Sequence, residues 1–227
     1  MILKQYNAII FDFDYTLVDA TKAIVKCYNY AFSKVGFPSQ EILTIKKTVG
    51  MTIPEAFKLM TGCQDLEIIE TFKQHFKTLA DKIMTKETIV LDNAKNLLEI
   101  AKQNDLKTGI LSSKKAYRIN ETLKKENMLH LIDIVIGFEN IEQHKPLPQG
   151  IDKIAKILDI NKNEILYVGD SLVDAQTAQN AKVDFIGVLT GTTTKEDFER
   201  YPYIAVLNVL LELELFLTTK NTKDTKE

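Results

Sequence analysis

The sequence predicts an α/β fold: a parallel sheet flanked by helices, with an all-helical domain inserted after the first strand. Three observations carry this. From about residue 90 onward, short apolar runs alternate with stretches of helical periodicity, as strand–helix units of a parallel sheet do. Between residues 19 and 89 only helical periodicity is found, over a length that no simple crossover needs. The run Ala8-Ile9-Ile10-Phe11, apolar at every position, reads as a strand buried on both faces.

Taken in order, the first strand ends at Asp12-Phe13-Asp14-Tyr15-Thr16. Ala23, Ile24, Cys27, Ala31 and Val35 then fall at three- and four-residue spacing, and Gly36 and Pro38 end that helix. Ile42, Ile45 and Val49 mark a short helix stopped by Gly50. Pro54 to Met60 is another, followed by Thr61-Gly62. Leu66 to Met84 is a longer one, with Ile68, Ile69, Phe72, Phe76, Leu79 and Ile83 along one side for packing. Beyond residue 90 the expected strands are Leu106–Leu111, Leu131–Ile136, Ile165–Val168 and Phe185–Leu189. Helices fall around Leu97–Ala101 and over Ala116–Asn127, Gly150–Leu158 and Leu172–Ala181. The expected division is a Rossmann-like core of residues 1–18 and 90–217, a helical domain of residues 19–89, and a frayed, lysine-rich tail of residues 218–227.

With 227 residues, 45% hydrophobic and 26% charged, the chain can bury a sizeable core. A formal net charge of -2 offers no electrostatic attraction to nucleic acid or an anionic membrane. Cys27 and Cys63 have no metal-ligand spacing and read as thiols of a reducing compartment. The first residues lack the features of a signal peptide, and no apolar run reaches membrane-spanning length. The expectation is a soluble cytoplasmic protein, monomeric or homodimeric.

The strand ends carry the chemistry. Asp12 and Asp14 close the first strand, Ser112 and Ser113 the second, and Asp170 the fourth, with Asp174 one helical turn on. Lys145, in His144-Lys145-Pro146, follows the third. Parallel sheets gather such ends at one rim, where ligands bind. Carboxylates crowded there are costly to bury without a cation, and hard divalent ions prefer oxygen ligands. A carboxylate cluster, hydroxyls and one ammonium suit a phosphate ester with Mg2+. Taken singly, Ser112 also suits a helix cap, Lys145 a surface lysine, and Asp170 and Asp174 a helix dipole. His75, His130 and His144 are isolated and assigned to no metal.

The order Asp12-x-Asp14-x-Thr16, Ser112, Lys145, Gly169-Asp170-x-x-x-Asp174 resembles the four motifs of the haloacid dehalogenase superfamily of phosphohydrolases, over roughly residues 5 to 217. The insertion after the first motif, Phe11–Asp19 and Thr48-Val49-Gly50-Met51 resemble the phosphoglycolate phosphatase and β-phosphoglucomutase branch with its helical cap. The resemblance implies a Mg2+-dependent phosphatase acting on a small-molecule phosphate ester, phosphoglycolate-like or a sugar phosphate. It implies Asp12 as nucleophile and Asp14 as acid and base. Asp12, Asp170 and the Asp14 backbone carbonyl are implied as metal ligands, with Asp174 supporting them. Ser112, the Ser113 N–H and Lys145 are implied to bind the phosphoryl group, and Gly50, Met51 and Thr52 to form a cap loop. Three departures stand out: Tyr15 and Ser112 where Gly and Thr are usual, and Leu91-Asp92-Asn93 where Pro-Gly is usual. Competing readings are a mutase with the same core residues and a binding protein without turnover. A carbon–phosphorus hydrolase would use Lys46 or Lys47, a dehalogenase would lack Asp14, and a receiver-like signalling domain would be much shorter.

Overall fold

The computed structural model describes residues 6–217, so the tail expected at 218–227 lies outside the described residues. By contacts the chain forms two compact units, Asp19–Ile89 and the segments on either side of it.

Strand β1 (Ala8–Phe11) leads to a short strand β2 (Val18–Asp19) and then to α1 (Thr21–Lys34), α2 (Ile42–Lys46), α3 (Ile53–Thr61) and α4 (Leu66–Glu87). The short strand β3 (Ile89–Val90) pairs with β2. There follow α5 (Ala94–Gln103), β4 (Lys107–Leu111), α6 (Ala116–Lys125), β5 (Ile134–Ile136), α7 (Gln149–Leu158), β6 (Ile165–Gly169), α8 (Leu172–Ala181), β7 (Asp184–Val188), α9 (Lys195–Phe198), β8 (Ala205–Leu207) and α10 (Glu214–Leu217).

Six strands form one parallel sheet in the order β5-β4-β1-β6-β7-β8. Phe11 sits opposite Ile110 of β4 and Val168 of β6, so the tips of three strands lie side by side. Alternation sorts the side chains of β1 into two layers. Ile9 and Phe11 pack with Leu97, Leu98, Ile119 and Leu213, while Ala8 and Ile10 pack with Ile151, Ile154, Ala175 and Ala178. A strand covered on both faces cannot alternate with polar residues, which is why it reads as an unbroken apolar run.

In the helical unit, α1 and α4 carry most of the packing. Phe57 and Phe72 lie 4.4 Å apart between ring centroids and Phe32 and Phe72 4.8 Å, with Tyr28 beside them. Gly62 caps α3 in the left-handed conformation, with φ 71°.

The structure differs from the sequence expectation in several places, among them the short strands β2 and β3 and the short helices α9 and α10, which were not expected. The third strand begins at Ile134, because Leu129–Leu131 forms a 3-10 turn instead. The second helix stops at Lys46, short of Val49. A sixth strand, β8, was not foreseen: its three residues form a sheet edge beyond Pro202, too short to show a period. Two of the family departures have a backbone answer. Asn93, in place of the usual glycine, takes φ 66°, which asparagine tolerates well. Tyr15 takes φ 62° with its ring buried, at a cost of about 1–2 kcal/mol for a residue with a Cβ. Its conformation is held by Tyr15 N donating to Val18 O at 2.7 Å and by Thr190 Oγ1 donating to Tyr15 O.

Candidate active site

The chemistry-bearing residues of the core unit sit at the C-terminal ends of β1, β4 and β6 or just after them, and Lys145 lies in the segment that follows β5. β1 delivers Asp12 and Asp14; β6 delivers Asp170, and the first turn of α8 delivers Asp174. Asp12, Asp14, Asp170 and Asp174 are all buried. Oxygens of Asp12, Asp170 and Asp174 lie within 4.8 Å of one another.

Asp174 is saturated. Its Oδ1 accepts from Lys145 Nζ at 2.7 Å and from the Tyr167 hydroxyl at 2.7 Å. Its Oδ2 accepts from the Ser171 backbone N–H at 3.1 Å and from the Ser171 hydroxyl. A carboxylate offers about four lone-pair positions, and these donors fill them. Ser171 and Asp174 also form the capping box of α8, so the residue that anchors Lys145 is fixed by the start of a helix. Gly169 is required here, since a Cβ on it would lie 2.4 Å from the Asp174 Cβ.

Lys145, with a side chain only 3% exposed, bridges Asp174 and Asp12. Burial works against its ammonium, yet Asp12 and Asp174 outweigh that and hold its pKa above the usual lysine value. Nζ stands 3.0 Å from Asp12 Oδ1 but off the line that a hydrogen bond needs, which leaves Oδ1 a buried oxygen with no hydrogen-bond donor. Burial pushes the Asp12 carboxyl up to about 6 against the pull of Lys145. Asp170 is raised well above the usual range, first by burial and then by Asp174 and Asp12. Thr16 Oγ1 donates to Asp170 Oδ1 at 3.2 Å. On the other side Asp170 Oδ2 lies where a Cβ on Gly191 would come within 2.0 Å.

Asp14 turns elsewhere. Lys114 Nζ meets both its oxygens, at 2.7 and 2.8 Å. Ser112, buried at the end of β4, accepts from the Lys114 backbone N–H at 3.3 Å. Ser113 is half-buried in the same turn. His144 stacks on Phe138, centroid to centroid at 3.9 Å. Gly50, Met51 and Thr52 belong to the helical unit. Gly50 takes φ 101°, Met51 is exposed, and Thr52 spends its hydroxyl on the capping box of α3 with Glu55.

Sequence reasoning missed Lys114, Tyr167 and Gly191. The signal for Lys114 was its place next to a strand-end hydroxyl pair. For Tyr167 it was the one polar atom in the run Ile165–Gly169.

The four buried carboxylates have only two buried ammonium groups beside them, and the crowding shows in the raised Asp12 and Asp170 carboxyls. A divalent ion among hard oxygen donors would relieve that crowding, and Asp12 Oδ1, buried with no hydrogen bond, could serve as one of its ligands. Asp12 and Asp170 therefore fit such an ion, whereas the Asp174 oxygens are already taken.

Comparison with known proteins agrees with the motif order. The family model described as haloacid dehalogenase-like hydrolase matches residues 9–188. Pyrophosphatase PpaX of Bacillus anthracis is 23% identical over 218 residues, 96% of this chain and 99% of that protein. The crystal structure of a haloacid dehalogenase-like hydrolase from Bacteroides fragilis superposes with a TM-score of 0.89 at 36% identity, covering 92% of this chain and all of that one. A predicted phosphoglycolate phosphatase from Haemophilus somnus shares the fold, with a TM-score of 0.83 at 19% identity over 94% of this chain and 98% of that one.

Proposed function

The chain belongs to the haloacid dehalogenase-like hydrolases, and on that premise we propose that it is a Mg2+-dependent phosphatase that hydrolyses a small phosphorylated metabolite through an aspartyl-phosphate intermediate. The observation that supports this reading is the buried cluster itself: an Asp12 oxygen without a hydrogen bond, 3.0 Å from the Lys145 ammonium, with Asp170 close by.

Asp12 attacks phosphorus and displaces the alkoxide, which takes its proton from Asp14. Water then attacks the aspartyl phosphate and gives a proton to Asp14, which regenerates Asp12 and frees phosphate. Ser112, the Ser113 N–H and Lys145 hold the transferring phosphoryl oxygens. Asp12, Asp170 and the Asp14 backbone carbonyl would hold Mg2+, which would supply charge neutralisation on the phosphoryl group. Asp174 and Tyr167 aim Lys145. The helical unit is the substrate-selecting cap, with Gly50, Met51 and Thr52 as its loop.

The test is phosphate release from a panel that includes phosphoglycolate, sugar phosphates and pyrophosphate, the last because a relative is named for it. With Mg2+ present, at least one compound is turned over without a bisphosphate activator. No release from any of them refutes the reading. Isomerisation of a hexose phosphate that outpaces phosphate release, and depends on such an activator, assigns a mutase instead.

A further inference from the structure

Lys114 has no part in the reaction as set out above, yet its ammonium is among the most deeply committed charges in the core unit. Its side chain is 7% exposed and that of Asp14 11%, and the two residues are 100 apart in sequence. One nitrogen contacts both Asp14 oxygens, at 2.7 and 2.8 Å, which fixes the plane of the carboxylate as well as its position. Nζ also lies 5.8 Å from the Phe13 ring centroid, over the residue that separates Asp12 from Asp14. The lysine backbone is itself pinned. Its N–H donates to Ser112 Oγ, and its carbonyl accepts from Phe138 N at 3.0 Å.

We propose that Lys114 is a positioning residue that holds the Asp14 carboxylate at the place where protons are exchanged with the leaving group and the water. The proposal rests on the phosphatase reading. Asp14 must present an oxygen at one point in both half-reactions, and its side chain has two bonds free to turn. Lys145 already serves Asp12 and Asp174, so the two ammonium groups divide the carboxylates between them. Because Lys114 shares a turn with Ser112 and Ser113, the groups that grip the phosphoryl oxygens and the group that moves the proton are set by one piece of backbone.

The experiment compares Lys114→Met and Lys114→Arg with wild type in single-turnover assays. Two esters are used: the alkyl monophosphate that wild type cleaves fastest, and p-nitrophenyl phosphate, whose leaving group departs without a proton. Positioned proton transfer contributes about 10²–10⁴ in rate. For Lys114→Met the alkyl ester should therefore slow by about 100-fold, while p-nitrophenyl phosphate slows by less than about 5-fold and KM stays within about 3-fold for both. Lys114→Arg, which also pairs with both oxygens, should recover at least about tenfold of the loss. Equal loss on the two esters overturns the proposal, as does native-like turnover. A raised KM at unchanged turnover also overturns it, making Lys114 a ligand of the substrate. If Lys114→Met does not fold, Lys114→Gln applies the same discrimination. Wild type inert on both esters overturns this proposal, and the phosphatase reading with it if no phosphate is released from pyrophosphate either; an active wild type with an indifferent Lys114→Met overturns this proposal alone.

Discussion

Gly191→Ala adds one methyl group, replaces no residue assigned to chemistry, and should nevertheless disable the site. Gly191 lies outside the left-handed region, so alanine meets no backbone strain there and the effect is steric alone. The new Cβ would stand 2.0 Å from Asp170 Oδ2, 2.9 Å from its Cγ and 3.1 Å from its Cβ. Carbon and oxygen come to rest at roughly 3.5 Å, so the Asp170 carboxylate must retreat by more than about 1 Å. Its other oxygen is tied to Thr16 at 3.2 Å, and retreat strains that bond too. Misplacement by about 1 Å near the reacting atoms costs on the order of 100-fold. The expected result is a fall of that size in kcat/KM for phosphate release, with the Mg2+ concentration for half-maximal rate raised at least about tenfold. Gly191 is only half-buried, so the melting temperature should move little. Near-native kcat/KM with unchanged Mg2+ dependence would refute the reasoning, since it would mean that Asp170 has room to spare or does not hold the metal.

Three further outcomes are expected. Asp12→Asn keeps the fold by circular dichroism and brings phosphate release to near background; turnover close to native removes Asp12 as nucleophile. Treatment with a chelator abolishes release and Mg2+ restores it, while Ca2+ supports it poorly because its longer, looser coordination misplaces the oxygens; full activity in metal-free buffer contradicts the assignment. Without metal, the Asp12 carboxyl is raised to about 6, above its value near 4 in the unfolded chain. The folded state then holds that proton more tightly, so Asp12 contributes stability that is present below about pH 4 and lost as pH rises through about 6. Metal-free wild type should lose melting temperature between pH 4.5 and 7 relative to Asp12→Asn, and parallel melting curves for the two would rule this out.

What the sequence made legible follows from how parallel sheets are built. Ala8–Phe11 and Ile165–Gly169 are covered on both faces, so burial left a signal in every residue. Chain alternation alone then carried Asp12, Asp170, Asp174 and Lys145 to a common rim. Partnerships were not legible. Lys114 follows two serines as surface lysines commonly do, and only the third dimension shows Asp14 across from it. Gly191 carried no signal of its role, which is to make room for Asp170 with its hydrogen. Tyr167 read as core, and its ring is core, but its hydroxyl holds Asp174. β8 left no trace because an edge strand of three residues needs neither a period nor a full apolar face.

The bond from Leu91 N to Leu17 O, 3.0 Å long, has a consequence for how the chain finds its fold. β1 must pair with β4, Ala8 opposite Lys107, although the whole helical unit lies between them in sequence. Closing so long a loop as free chain is slow and entropically costly. The helical unit, however, packs largely through its own helices and returns the chain to within a hydrogen bond of where it left. Once it has formed, the stretch that still has to close is only a few tens of residues, which lowers the entropy of closure by about 1 kcal/mol. An insertion that lengthens the chain thus leaves, once it is folded, a shorter loop to close between β1 and β4.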